Sequence, residues 1–444
     1  MLDSDISTAD ALAHLSVADH ADDRASLDRR RFLQLIGMGL GAGAVGSVLG
    51  SPVLDKFLPG YDASAWAAGP IGANDGILVV IGMYGGNDGL NTVIPTDDPA
   101  YARLRPRLGA VRKGSLPVAD GFGLHAALKS LHRLHGEQRA ALVHSVGYPD
   151  PDRSHFRSRD IWHAADPRLQ RVSASTTGWM GRAADVLAAA GSSVPALAVG
   201  SLQVPLAMRA RIALVPSLER IEDFQLQPVE RSAAGREAVG TLLGGGASDQ
   251  ARWVGEMSAR AAGLGEQLRR SLAAYRPAAE YPQTKLGREL QLVAQVIGAG
   301  FGTRFFHVAL GGFDTHARQL PAHAGLLAQL DGALAAFTAD LAAARALDAT
   351  VVLVHSEFGR RTAENQSQGT DHGAAAPVFV LGGSVQQGPH GTPPDLGNLD
   401  DGDVRATTDF RAVYGALLAW AGIDAVAVLG ADAPAPLAGL LRGS

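Results

Sequence analysis

From residue 76 onward, short continuous apolar runs alternate with longer stretches of mixed polarity. The runs have the length of strands, and the pattern is typical of strands buried on both faces of a sheet. They are Ile77–Met83, Ala140–Val146, Ala196–Val199, Phe305–Leu310, Thr350–His355 and Val378–Leu381. This alternation predicts an α/β fold, a doubly wound and mostly parallel sheet with helices on both faces.

The stretches between the runs have the periodicity of helices that bury one side. They are Leu124–His135, Trp179–Ala190, Ala251–Tyr275, Lys285–Ala299, Leu320–Ala344 and Asp409–Ala421, the last with Thr408 as a candidate cap. Residues 200–250 break the pattern with short runs, prolines and a triple glycine, and we interpret them as an irregular insertion or cap. We expect residues 68–444 to form one domain, preceded by residues 1–67 as a leader and signal.

The segment that precedes the domain has the features of an export signal. Residues 29–33 read Arg-Arg-Arg-Phe-Leu, which resembles the twin-arginine consensus, and residues 32–54 are uncharged and rich in glycine. Weak hydrophobicity behind paired arginines favours a cleavable signal, with Ala65 and Ala67 at a cleavage site, over an uncleaved anchor. We therefore expect the twin-arginine export machinery as a partner, a periplasmic or extracellular location, and no stable membrane anchor after cleavage.

Charge and composition exclude some partners and some kinds of site. The net charge of −5 gives no broad basic surface, so we expect no nucleic-acid partner. The chain has no cysteine, which excludes disulfides, a thiol nucleophile and thiolate metal sites. With 444 residues, of which 46% are hydrophobic, the chain is long enough to bury a large core.

Polar residues follow the first two predicted strands. In open α/β sheets ligands bind beyond the carboxyl ends of strands, so these positions are candidate site residues. Asp88 follows the first strand and is a candidate oxygen ligand, although Asp88 or Asn91 could instead cap a turn or helix. Ser154 and Arg157 follow the second strand at the start of a helix, where an anion is favoured. Ser154 is thus a candidate nucleophile or an ordinary cap.

Acids and histidines accompany the later strands. Asp314 and His316 follow one strand, Glu357 follows the next, and His372 precedes the last. Mixed nitrogen and oxygen ligands suit zinc or manganese, and an oxygen-rich half suits magnesium or calcium. We therefore predict one or two divalent metal ions (Zn, Mn, Mg or Ca) held by Asp88, Asp314, His316, Glu357 and His372.

The polar motifs as a set resemble the domain-of-unknown-function 1501 family of exported bacterial proteins. They are Gly85–Thr92, Arg153–Arg157, Gly311–His316, Ser356–Arg361 and Gly369–Gly373. That family looks like a distant branch of the alkaline phosphatase and sulfatase superfamily. The resemblance implies an alkaline-phosphatase-like fold and hydrolysis of phosphate or sulfate esters. By order along the chain it implies a nucleophile at Ser154 and ligands at Asp88, Asp314, His316, Glu357 and His372.

Two departures from the superfamily pattern leave two hypotheses open. Phe358 stands where the superfamily has a metal-binding histidine, and the tighter spacing of the middle ligands makes His323 an alternative ligand. The first hypothesis is an exported metal-dependent hydrolase of a small anionic ester or a polymer-borne ester, with Arg157 or Arg360 holding the ester oxygens. The second is an exported non-catalytic binding or assembly protein with a degenerate metal site.

The export signal predicts the behaviour of a double variant. Replacing Arg29 and Arg30 together by lysine should trap the precursor in the cytoplasm, because the lysines keep the charge but lose the paired arginines. Cell fractionation checks this, with Arg24→Lys in the leader as the control. Normal export of the double variant would show that the twin-arginine interpretation is wrong.

Overall fold

The computed structural model describes residues 76–218 and 275–442, except Asp120, Ser193 and Pro389. The export signal lies outside the described residues, as do residues 219–250 of the predicted insertion and all but Tyr275 of the helix predicted over Ala251–Tyr275. The described part of the insertion holds a 3₁₀ turn, Leu206–Met208, and a short strand, Ser217–Leu218. The domain boundaries therefore stay a prediction.

Eleven strands occur in the described ranges. They are β1 (Ile77–Tyr84), β2 (Val93–Pro95), β3 (Leu116–Pro117), β4 (Phe122–Leu124), β5 (Ala140–Gly147), β6 (Ala196–Val199), β7 (Ser217–Leu218), β8 (Phe305–Gly311), β9 (Thr350–His355), β10 (Ala376–Gly382) and β11 (Thr408–Asp409). The central sheet has the order β11-β5-β10-β9-β1-β8-β6-β7, and a small antiparallel sheet has the order β2-β4-β3. Each of the six apolar runs forms a strand of the central sheet, as predicted.

Strand direction determines where the loops meet. In the central sheet β10 runs antiparallel to both of its neighbours, β5 and β9, whereas every other described pairing is parallel. The carboxyl ends of β1, β5, β8 and β9 therefore share one edge with the start of β10. The predicted α/β class with a mostly parallel sheet is confirmed.

Nine α-helices occur in the same ranges. They are α1 (Gly89–Thr92), α2 (Pro99–Leu104), α3 (Lys129–Gly136), α4 (His155–Ala164), α5 (Trp179–Ala189), α6 (Lys285–Gly298), α7 (Gln319–Ala343), α8 (Phe410–Trp420) and α9 (Ala425–Leu429). Leu78 and Val80 of β1 pack in one apolar cluster with residues of α4, α5 and α8. Val79 and Ile81 are equally buried and point to the opposite face, so both faces of the sheet are covered.

Two predicted helix starts differ from the structure. The helix expected from Leu124 begins at Lys129, because residues 122–124 pair with β2 and β3 in the small sheet. The last long helix is capped by Asp409, whose side chain accepts from the Arg411 N–H, and not by Thr408. Thr408 is instead paired with Val146 in the central sheet.

Helix α7 is the one described helix that is long and apolar enough to cross a membrane by length and composition. Of its most apolar 18-residue segment, 56% is buried inside the protein. Two of its acids point into that interior: Asp331 accepts from the backbone N–H groups that begin α3, and Asp340 accepts from the Tyr281 hydroxyl. These contacts are those of a helix in the protein core.

The exit of β1 is fixed by a buried ion pair. Asp88 caps α1 by accepting from the Asn91 N–H, and its other oxygen lies 2.6 Å from Arg105 Nη1 and accepts from the Gln319 amide. Arg105 is also buried and donates to the backbone oxygens of Arg361 and Thr362. The expectation that Asp88 is a metal ligand is therefore corrected, because its carboxylate is already fully paired.

This pair predicts a stability effect. Asp88→Asn leaves the Arg105 charge buried without its partner and should lower the free energy of unfolding by about 3–5 kcal/mol. Burial raises the pKa of Asp88, but Arg105 outweighs it and the net shift is downward. The stabilisation is therefore present above the unfolded pKa of about 3.9 and is lost as the pH falls through the folded pKa.

Urea unfolding of the full chain measures the difference. The matched control is Asp348→Asn, which removes an exposed ion pair with Arg139 and should cost at most about 1 kcal/mol. Equal effects of the two substitutions would contradict a structural role for the buried pair.

Candidate metal centre

Three histidines converge on one carboxylate oxygen where the strand ends meet. His155 begins α4, Asp314 and His316 follow β8, and His372 precedes β10. The Asp314 Oδ1 atom lies 2.9 Å from His316 Nε2, 3.1 Å from His372 Nε2 and 3.3 Å from His155 Nε2. The Nε2 atoms of His316 and His372 are 2.9 Å apart. The structure thus brings together three of the predicted ligands and adds His155.

The opposite ring nitrogen of each histidine faces an oxygen that only accepts hydrogen bonds. The Nδ1 atoms face Glu357 Oε1 for His155 at 2.8 Å, Asp371 Oδ1 for His316 at 3.1 Å, and the Arg153 backbone oxygen for His372 at 2.7 Å. Each Nδ1 therefore carries the proton, and each Nε2 is left with a lone pair. In known metal sites the ligating histidines are held in the same way, by oxygens that accept the other ring N–H and do not bind the metal.

The cluster therefore contains lone pairs that face one another. The Nε2 atoms of His316 and His372 and the Asp314 carboxylate are acceptors in mutual contact. His155 Nε2 is buried and has no hydrogen-bond partner. Such a group needs an added cation, either a proton on one imidazole or a metal ion. A buried nitrogen without a hydrogen-bond partner needs an explanation, and a role of His155 Nε2 as a metal ligand would supply one.

The donor set and spacing fit a transition-metal ion. The ligand atoms of His155, Asp314 and His372 all lie within 4.8 Å of one another. Metal–ligand bonds of about 2.0–2.2 Å place ligand atoms roughly 3–4 Å apart. Imidazole nitrogens are ligands for zinc and its neighbours, whereas magnesium and calcium prefer oxygen. The side chain of Asp314 is 48% exposed, so the centre is open to solvent.

Arg360 neutralises part of the charge on Asp314. Its buried Nη2 lies 2.6 Å from Asp314 Oδ1, and Nη1 lies 3.4 Å from His316 Nε2. Burial raises the pKa of Asp314, but the hydrogen bond and the charge of Arg360 outweigh it and hold that pKa well below its usual range. Glu357 contacts His155 and Asp371 contacts His316, so of the three carboxylates beside the histidines only Asp314 is paired with Arg360.

The predicted role of Arg360 in holding ester oxygens is corrected. Its remaining N–H groups donate to backbone oxygens of Gly85, Gly86, Phe313 and Thr370. The guanidinium is saturated by these bonds and is buried, so it is unavailable to a substrate.

Glu357 lies behind His155 and does not reach the centre. Its Oε1 accepts from the Gly85 N–H at 2.9 Å and from His155, while Oε2 accepts from the Ser356 hydroxyl. Burial raises the pKa of Glu357, but the bonds from His155 and the Gly85 N–H lower it further than burial raises it. The prediction that Glu357 is a direct ligand is therefore corrected: it acts through His155, whose pKa it raises.

Ser154 and Arg157 flank His155 without joining the cluster. Ser154 is exposed at the N-cap position of α4, and its hydroxyl has no hydrogen bond to any described residue. Arg157 has its Nε atom 3.8 Å from Asp152 Oδ2. Sequence reasoning selected these two residues and missed His155, although a histidine opening a helix after a strand end was itself a signal.

Phe358 forms an apolar wall of the centre. Its buried ring lies 4.8 Å from the His155 ring and 4.9 Å from the His372 ring, centroid to centroid. The ring occupies the space beside Gly86, where a Cβ atom would come within 2.3 Å of it and where φ is +68°. Phe358 thus contributes packing, and no ligand atom, to the centre.

His323, the alternative ligand, belongs to a separate buried network. Its Nε2 lies 2.9 Å from Asn87 Oδ1 and 3.4 Å from the Thr92 hydroxyl. Burial lowers its pKa to about 4. His323 therefore stabilises the turn after β1 and does not contact the three histidines of the centre.

The motifs that supply these residues lie within residues 77–431. This range matches the profile of the family described as Protein of unknown function (DUF1501). The chain belongs to the DUF1501 family. The family predicted from the motifs is thereby confirmed, and among curated proteins none matches the chain.

Solved structures similar to this DUF1501 protein include members of the alkaline phosphatase and sulfatase group. A protein in the alkaline phosphatase superfamily from Vibrio parahaemolyticus is 11% identical, with coverage of 85% of this chain and 76% of that one and a TM-score of 0.35. The periplasmic domain of EcEptC from Escherichia coli, in a complex with Zn, is 10% identical, with coverages of 70% and 73% and a TM-score of 0.35. The PsFucS1 sulfatase from Pseudoalteromonas sp. is 9% identical, with coverages of 79% and 68% and a TM-score of 0.38. At these values neither a site nor an activity transfers to this chain.

The contact between Glu357 and His155 predicts a change in metal affinity. Glu357→Gln should leave the fold intact and weaken zinc binding by about 10- to 100-fold, because the amide holds the His155 ring less strongly than a carboxylate does. Competition with a chromophoric chelator measures the affinity, and circular dichroism checks the fold. The control is Glu137→Gln, which removes an exposed partner of Arg133 on α3. Equal zinc affinity in both variants would rule out the role of Glu357.

Proposed function

We propose that this DUF1501 protein is a hydrolase of phosphate or sulfate esters that depends on one divalent metal ion. The observation that carries the proposal is the convergence of three Nε2 lone pairs and the Asp314 carboxylate at a solvent-open edge of the sheet. The twin-arginine motif supports action outside the cytoplasm, on a small anionic ester or a polymer-borne one.

The ion that best fits these residues is zinc, with manganese second. His155, His316 and His372 supply nitrogen and Asp314 supplies oxygen, which is a donor set for zinc and not for magnesium or calcium. A divalent ion bound there would act as a Lewis acid that polarises an ester oxygen. Phe358 packs against two of the ligand rings and limits the water behind them.

Ser154 is the candidate nucleophile of the chain itself. Its exposed hydroxyl is next to the ligand His155 and forms no hydrogen bond with any residue of the two described ranges. It lies at the N-terminus of the ten-residue α4, where the free N–H groups and the helix dipole stabilise negative charge. A hydroxyl in that position is favoured to ionise and to attack a bound ester.

One observation favours the alternative, a non-catalytic binding or assembly protein. Arg360 Nη2 already lies 2.6 Å from Asp314 Oδ1. An imidazolium among the three histidines would complete the balance of charge without a metal ion. In that case the cluster would hold the loops together and have no chemical role.

Metal analysis and an esterase assay on the same preparation test the proposal. We expect one zinc per chain and hydrolysis of p-nitrophenyl phosphate or sulfate. His372→Ala should lose the zinc and at least about 100-fold of the activity, while Ser154→Ala should keep the zinc and lose activity. His132→Ala on α3 is the control, because its ring is hydrogen-bonded to the Pro117 backbone oxygen and to no residue of the centre.

The outcomes separate the two functions. Folded protein without stoichiometric zinc would contradict the proposal and support the structural cluster. Zinc at one per chain with no turnover of any phosphate or sulfate ester would favour a binding protein. Full activity of Ser154→Ala would remove Ser154 from the mechanism and leave water as the nucleophile.

A further inference from the structure

One arginine near the centre differs from the others in its contacts. Arg360 is saturated by backbone oxygens, Arg153 pairs with Asp403, and Arg157 lies near Asp152. Arg159 is only partly buried, and its guanidinium forms no hydrogen bond or ion pair within residues 76–218 and 275–442. A guanidinium carries five N–H donors, and none of those of Arg159 is used by a residue of the described ranges.

Two aromatic rings hold Arg159 in place of acidic partners. Its Cζ atom lies 5.5 Å from the centroid of the Tyr84 ring and 5.6 Å from that of the Phe156 ring. Contacts with ring faces position a guanidinium without using its N–H groups. The planar fork of an arginine held in this way matches two oxygens of a phosphate or sulfate.

The Tyr84 ring is itself fixed by a network of buried histidines. The Tyr84 hydroxyl lies 2.7 Å from His163 Nε2 and 3.1 Å from His307 Nε2. Burial lowers the pKa of both histidines, that of His307 to about 3, so both rings are neutral and add no charge beneath Arg159. The Tyr84 ring lies across Gly82, where a Cβ atom would come within 2.4 Å of it.

The position of Arg159 relates it directly to the centre. His155 and Arg159 are four residues apart on α4 and therefore lie on one face of the helix. Tyr84 is followed by Gly85, whose N–H donates to the same Glu357 oxygen that holds His155. Phe156 is 74% exposed, so the outer side of this arrangement is open to solvent.

We propose that Arg159 is the anion-binding residue of the centre and that its ligand is a tetrahedral oxyanion, the phosphate or sulfate group of the ester. Phe156 forms the exposed wall of this subsite. This assignment rests on the proposed function, because it places the oxyanion between the metal ligands and the guanidinium. It replaces Arg157 and Arg360 in the role expected from the sequence.

Anion binding by the zinc-loaded full chain tests the assignment without a need for turnover. Isothermal titration with inorganic phosphate and with inorganic sulfate should show binding that Arg159→Met weakens by about 10- to 100-fold, the effect of losing hydrogen bonds to a charged group. Arg159→Lys should recover only part of it, because lysine lacks the planar fork. The control is Arg133→Met, which removes the same charge from the exposed pair on α3.

A second variant, at an exposed position, tests the subsite even if Arg159→Met fails to fold. Phe156→Ala alters an exposed ring, so we expect an unchanged unfolding midpoint and phosphate binding weakened several-fold. If esters are hydrolysed, Arg159→Met should raise KM for them, while the zinc content stays at the wild-type level.

Three results would each overturn part of the inference. Unchanged phosphate and sulfate affinity of Arg159→Met at full zinc occupancy would exclude Arg159, and unchanged affinity of Phe156→Ala would exclude the exposed wall. Acetate binding as strong as phosphate binding would exclude a subsite for tetrahedral anions. Zinc absent from the wild-type protein would refute the proposed function, whereas zinc bound with anion binding insensitive to Arg159 would refute this inference alone.

Discussion

The buried guanidinium of Arg360 joins the segments that carry the candidate centre. It donates to backbone oxygens after β1, after β8 and before β10, and to the carboxylate of Asp314. A buried arginine is stable only when its donors are matched, so these loops cannot separate without leaving charge and N–H groups unpaired. The positions of Asp314 and His372 relative to each other follow from this one group.

The acids that follow the strands have different roles, and the nearest hydrogen-bond donors decide each role. Asp88 is paired with the buried Arg105, so it fixes the exit of β1 and is removed from any ligand role. Glu357 is turned back toward the Gly85 N–H and reaches the centre only through His155. Asp314 shares Arg360 with several backbone oxygens and remains half exposed, which leaves it the acid that faces the three histidines.

The fold could be predicted from the sequence because apolar runs bounded by glycines and polar residues are typical of buried strands. Asp314, His316 and His372 were accessible because they lie next to those strands. The direction of β10 could not be predicted, because an apolar run does not show in which direction its strand runs in the sheet. Its antiparallel course is what brings the segment before β10 to the shared edge. Arg105 lies outside every motif, so the sequence contained no sign that Asp88 would be neutralised. His155 was overlooked because Ser154 beside it fits a nucleophile.

The ligands of the centre come from three distant parts of the chain: the start of α4, the turn after β8 and the loop before β10. An unfolded chain therefore has no local segment with which to retain the proposed ion, so metal loading would have to follow folding. The compartment in which the chain folds thus determines which metals it can encounter. If the paired arginines direct folded export, the ion is selected from the tightly regulated cytoplasmic supply and is then carried outward with the protein.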